Sequence, residues 1–109
     1  MYGDLDTISE YWKAVEYKMV TADEKVSGRP CFLYAAHLAA GTGGAATAII
    51  RDGTETAADA VITLAALTSS FDVRNFDPPI YFKKGIHVDV GNNVTSVLVV
   101  YMPVRKEKE

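Results

Sequence analysis

The chain is poor in the residues that build chemical sites. Its one cysteine, Cys31, excludes an internal disulfide, and its neighbours Phe32 and Leu33 mark it as a small buried hydrophobe rather than a nucleophile. Only two histidines are present, His37 and His87, each within an apolar stretch. Neither stands at metal-ligand spacing from Cys31 or from the other, so no metal site and no cofactor is expected. Basic residues are not in excess: Lys and Arg number 11 against 14 Asp and Glu, a net charge of -3, which gives no footprint for nucleic acid. No apolar run approaches the roughly 18 residues of a membrane span, so no membrane association is expected. Met1 to Asp6 has neither a basic region nor an apolar core, so no signal peptide is expected.

The motifs that are spelled out fail in context. Gly41-Thr42-Gly43-Gly44-Ala45-Ala46 matches the glycine fingerprint of dinucleotide-binding folds, but it leads into a short β-rich run and an Asp-Gly turn instead of a helix. A flexible hairpin loop is the better reading. The carboxylates Asp52, Asp59, Asp72, Asp77 and Asp89 are scattered, with neither the alternation of a calcium loop nor an acid/base pair, and an enzyme is not expected. Asn93-Val94-Thr95 spells a glycosylation sequon whose chemistry requires a secretory route.

What is present is a series of short apolar segments set off by turn residues. The most pronounced runs from Pro78 to Tyr101. Ile80, Phe82, Ile86, Val88 and Val90 fall at even positions, Gly91-Asn92-Asn93 tolerates positive φ, and Val94 to Tyr101 is apolar almost throughout. This predicts a β-hairpin, or two strands meeting at a tight corner. Upstream, Thr7-Ile8-Ser9-Glu10 matches a capping box, so residues 1–10 form a short helix or an arm. Tyr11 to Val20 fits helical and strand templates alike, and its Trp, Tyr and Val content turns the reading to strand. Cys31 to Ala40 and Ala46 to Ile50 read as strands, the second closed by an Asp52-Gly53 hairpin turn. Ala57 to Leu67 has helical spacing, but consecutive β-branched Val61, Ile62 and Thr63 favour strand. Phe71 to Phe76 reads as a short edge piece ended by Asp77-Pro78-Pro79. The whole is an all-β chain: a single small β-sandwich, jelly-roll-like, of roughly seven to eight short antiparallel strands over residues 11–104. Residues 105–109 form a charged tail.

The order of these pieces carries a resemblance. Glu16-Tyr17-Lys18-Met19-Val20-Thr21-Ala22, the Ser27-Gly28 bend and Cys31-Phe32-Leu33-Tyr34 come first, then Ile49-Ile50-Arg51-Asp52-Gly53-Thr54. Next is Phe76-Asp77-Pro78-Pro79-Ile80-Tyr81-Phe82-Lys83-Lys84-Gly85-Ile86-His87-Val88, and then Val94-Thr95-Ser96-Val97-Leu98-Val99-Val100-Tyr101. Over Trp12 to Pro103 the chain resembles the small β-sandwich virion proteins of tailed bacteriophages, which decorate or cement capsids or serve as head and tail accessory parts. The resemblance implies a non-enzymatic capsid decoration protein that is assembled in the host cytoplasm into the virion. It implies a homo-oligomer, with a trimer favoured, and the major capsid protein or another virion protein as partner. A glycan-binding or host-adhesion module of a fibre or tail is the alternative, its platform drawn from Tyr11, Trp12, Tyr17, Tyr34, Tyr81 and Tyr101.

The last strand points to the place of contact. Val97, Val99 and Tyr101 lie on one side and Leu98, Val100 and Met102 on the other, whereas a half-exposed strand alternates apolar with polar. One of those sides has nothing in a two-layer sandwich to cover it, unless residues 1–10 fold back. Leu98, Val100 and Met102, with Tyr81 and His87, are the candidate subunit or capsid interface.

Overall fold

A computed structural model describes residues 15–104. The expected N-terminal arm or helix, the charged tail, and the first residues of the expected strand at Tyr11 to Val20 lie outside them. Among the described residues the chain forms eight strands: β1 (Glu16–Val20), β2 (Glu24–Ser27), β3 (Cys31–Ala40), β4 (Ala46–Asp52), β5 (Asp59–Ala66), β6 (Phe71–Phe82), β7 (Ile86–Val90) and β8 (Val94–Pro103). They make two four-stranded antiparallel sheets, one ordered β1-β8-β3-β6 and the other β2-β7-β4-β5. Only β4 and β5, joined through the Asp52-Gly53 turn, are consecutive neighbours in one sheet; every other connection crosses between sheets. That is the strand order of a jelly roll.

The core lies between the sheets and results from alternation. Val97, Val99 and Tyr101 of β8, Leu38 of β3 and Val20 of β1 meet Ile50 of β4, Ile62 and Leu64 of β5, and Ile86 and Val88 of β7. Each fully buried Val, Leu or Ile contributes about 1.5–3 kcal/mol. The core parity of β3 changes along its length, from Cys31 and Leu33 to Ala36 and Leu38, because its register shifts between Leu33 and Ala35 on both neighbouring strands. This bulge lets a ten-residue strand bend over the core while keeping apolar side chains inward at both ends.

Within Ala57 to Leu67, Asp59–Ala66 becomes strand, as the β-branched run requires. Ile62, Leu64 and Ala66 point into the core and Val61, Thr63 and Ala65 point out. Of the residues at helical spacing only Leu64 is buried, so that spacing is coincidental. Of the two readings of the Pro78–Tyr101 stretch, the tight corner holds: β7 and β8 belong to opposite sheets, with Asn93 at φ 63°. Three local expectations are corrected. The first apolar run of that stretch is two strands, since Phe82 ends β6 and Ile86 begins β7. The Phe71–Phe76 piece does not stop at the prolines. Phe71 to Asn75 and Ile80 to Phe82 both pair with β3, and Pro78 and Pro79 occupy the unpaired bulge of this edge strand, where a missing N–H breaks no ladder. Finally, Gly41 to Ala45 is not a hairpin loop but an arch from β3 in one sheet to β4 in the other. It is tied to the β7–β8 corner by Gly41 N–H to Asn93 O (2.7 Å) and Asn93 Nδ2 to Ala45 O (3.2 Å).

Two glycines are required by the corners. At Gly85, φ is 137° and a Cβ would lie 2.3 Å from the Ser27 carbonyl oxygen. At Gly53 a Cβ would come within 2.4 Å of the Ala58 Cβ across the β4–β5 turn.

Candidate functional site

The two sheets present outer faces of opposite character. On β1-β8-β3-β6 the registers assemble four rows across the strands: Ser96–Ala39–Phe71, then Met19–Leu98–His37–Val73, then Tyr17–Val100–Ala35–Asn75, then Met102–Phe32–Tyr81. No Asp, Glu, Lys or Arg occurs in these rows. The charges of the same strands pair with core-facing residues and therefore point to the inner side: Glu16 opposite Tyr101, Lys18 opposite Val99, Asp72 opposite Leu38, Arg74 opposite Ala36. Asp77 sits in the β6 bulge. The inward charges close the flanks of the sandwich. Lys18 Nζ is 2.6 Å from Glu24 Oε2 of β2, and the Tyr101 hydroxyl donates to Glu16 Oε1 at 3.2 Å. Burial, then the neighbouring Glu16 carboxylate, push the Tyr101 hydroxyl pKa up. On the opposite flank Asp72 accepts from the Ala65 backbone N–H of edge strand β5 and from Arg74. Asp72 thereby occupies part of an otherwise open strand edge.

Exposure on this face is high for apolar side chains: Tyr17 is 75 % exposed, Phe71 71 %, Val73 54 %, Met19 53 % and Tyr81 51 %. Leu98, Val100 and Met102 are half-buried among them. Phe32 and Tyr81 pack ring against ring, centroids 5.2 Å apart and tilted by 44°. The polar pair, His37 and Asn75, face each other, with Nε2 3.4 Å from Oδ1.

Four of the five interface candidates from the sequence, Leu98, Val100, Met102 and Tyr81, therefore share one surface. His87 does not join them. It lies on the outer side of the other sheet, nearly buried, where Nε2 is 3.0 Å from Asp89 Oδ1 and Asp89 in turn pairs with Arg51. Arg51 also donates from Nη1 to the Ala58 carbonyl at 2.9 Å, which ties β7 to the β4–β5 turn. His87 stands opposite Lys25 of β2 and Arg51 of β4, so this outer face is charged where the first is not. Sequence reading missed Tyr17, Met19, Phe71 and Val73 as members of the apolar face. Met19 and Val73 each alternate with charged neighbours, Lys18 on one side, Asp72 and Arg74 on the other; what was unreadable is that the charged side of each strand turns inward.

Other chemistry is sparse. Cys31 is fully buried, and burial raises its thiol pKa, with the Asp52 charge adding and a Ser27 hydrogen bond opposing. An open cleft of about 300 Å³ at the β4–β5 turn is bordered by Asp52, Glu55, Asp59 and Lys84. Asp52 is already engaged there, accepting from the Lys83 and Lys84 backbone N–H groups at 3.3 and 2.9 Å. Among the described residues no three His, Cys, Asp or Glu side chains gather as a metal site.

The fold and this face define a jelly-roll domain with one charge-free sheet surface. No protein-family model matches the chain, and no curated protein matches it in sequence. Among solved structures, it is similar to a protein of the disulfide-linked pili that form Bacillus endospore appendages, at 12% identity over 84% of this chain and 90% of that one, with a TM-score of 0.44. It is also similar to the Tobacco streak virus coat protein, at 10% identity over 88% of this chain and 92% of that one, with a TM-score of 0.36.

Proposed function

We propose that the chain is a non-enzymatic structural subunit of a bacteriophage virion, a decoration or cement protein that self-assembles and binds the head surface. The observation that carries the assembly half of this reading is the charge-free outer face of β1-β8-β3-β6. Large apolar side chains, five of them more than half exposed, form one contiguous surface there. A contiguous apolar surface of this kind marks a protein contact, and leaving it wet invites aggregation. The virion setting rests on the sequence resemblance over Trp12 to Pro103. The other sheet carries its charge differently, with Lys25 exposed beside the largely buried Arg51–Asp89–His87 cluster, and is suited to meet solvent or a polar particle surface.

Antibody raised against the purified chain tests this reading on intact phage particles. Regular labelling of the head supports a decoration protein. Labelling confined to fibre or tail, together with retention on a glycan array, identifies the adhesion alternative, and unlabelled particles with no glycan retention sink both.

A further inference from the structure

We infer that the charge-free face of β1-β8-β3-β6 is covered by the same face of a second copy of this chain, the two related by a two-fold axis. The inference rests on the reading that the chain self-assembles and names the surface and the occupant. Three observations lead to it. First, the face is self-compatible. With no charge in any of its four cross-strand rows, and the exposed Asp77 carboxylate confined to the bulge of edge strand β6, two copies meet without like-charge repulsion across the rows, and two sheets pack face to face at about 10 Å. Second, two of its polar side chains partner each other. His37 and Asn75 lie against each other within the face, so covering them with apolar surface does not strip both of partners.

Third, the area suffices. Four strands about 4.8 Å apart, averaging roughly eight paired residues at about 3.4 Å, offer about 500 Å² of plan area per copy, and the projecting rings of Tyr17, Phe71 and Tyr81 add to it. The total for two copies, about 1,000 Å² before those rings, reaches the lower bound of a specific interface. A three-fold arrangement is a less good fit. It requires this face to meet a different surface of the neighbour, and the other sheet offers the exposed Lys25 beside the Arg51–Asp89 pair, so the Lys25 charge would lose water against apolar side chains.

Sedimentation of the full-length protein tests this, with three variants. The wild type should sediment at twice the 11.8 kDa chain mass, or at an even multiple of it. Val73→Asp and Met19→Asp, at opposite ends of one row and both more than half exposed, should each sediment at half the wild-type mass or less with an unchanged circular-dichroism spectrum. Val61→Asp, 45 % exposed on the other sheet, should remain paired. A wild type that is monomeric or trimeric at micromolar concentration overturns the inference. Dissociation by Val61→Asp, or pairing that survives both Val73→Asp and Met19→Asp, overturns it as well. Failure of the pairing leaves particle labelling intact, and unlabelled particles with an intact pair leave this surface standing, so the two readings fail separately.

Discussion

Val99 and Val100 are adjacent in β8 and lie on opposite sides of one sheet, which makes them the sharpest probe of the two faces. Val99 is fully buried between the sheets. Changing it to Asp removes about 1.5–3 kcal/mol of side-chain burial and buries a carboxylate whose facing cation, Lys18 of β1, is already paired with Glu24, a further cost of several kcal/mol. Together these consume most or all of the roughly 5–15 kcal/mol by which a domain of this kind is stable. Val99→Asp should therefore be unfolded or recovered only in inclusion bodies. Val100 is half-buried on the charge-free face, opposite Tyr17 and Ala35. Asp there should cost the isolated fold about 1 kcal/mol, while any assembly through this face is lost. Urea denaturation monitored by circular dichroism reads the first effect and light scattering behind a sizing column reads the second. Equal unfolding of both variants, or a folded Val99→Asp beside an unfolded Val100→Asp, would refute the assignment of faces.

Individual contacts set further expectations. Cys31 should react with a bulky thiol reagent at least about a hundredfold more slowly in the native protein than after unfolding, because labelling must wait for opening of the core; rapid native labelling would place the thiol at the surface. Gly85→Ala should lower Tm by at least about 4 °C, since the residue sits at φ 137° against the Ser27 carbonyl; an unchanged Tm would show that the corner relaxes freely. The Arg74 guanidinium beside Asp72 holds that carboxyl below the usual carboxylate range, with the Ala65 N–H assisting. A depressed folded-state pKa stabilises the fold above the ordinary carboxylate range, and the effect is lost as pH falls through the depressed value. Asp72→Asn should therefore be less stable than the wild type at pH 7, the gap closing towards about pH 2. A gap that is the same at both pH values would argue against a charge-dependent role.

How much of the fold and of the apolar face was legible in the sequence can be read from single strands. In β5, β-branched residues defeated a helical spacing because the segment needs only one buried side, and period 2 through Ile62, Leu64 and Ala66 provides it. In β8 the absence of polar alternation announced two apolar sides, and the structure places Val97, Val99 and Tyr101 in the core and Leu98, Val100 and Met102 outside. The parts that were not legible are non-local. Whether β7 and β8 form a hairpin or a corner depends on which sheet each joins, and Gly91-Asn92-Asn93 serves either. The prolines after Phe76 looked terminal, because nothing in the local pattern says that the chain resumes pairing with β3 at Ile80. His87 looked like a companion of Tyr81, but the Lys83-Lys84-Gly85 corner carries the two onto different sheets.

If the charge-free face is covered when the protein assembles, Met19 reports on it directly. In the single chain this side chain is 53 % exposed on that face. Methionine oxidation by hydrogen peroxide, read by mass spectrometry over a dilution series of the full-length wild type, measures its access to solvent. Met19 should be protected at high protein concentration and become reactive as the protein is diluted and the copies separate. Oxidation of Met19 that is rapid at every concentration would mean that the face stays open to water and that the protein does not assemble through it.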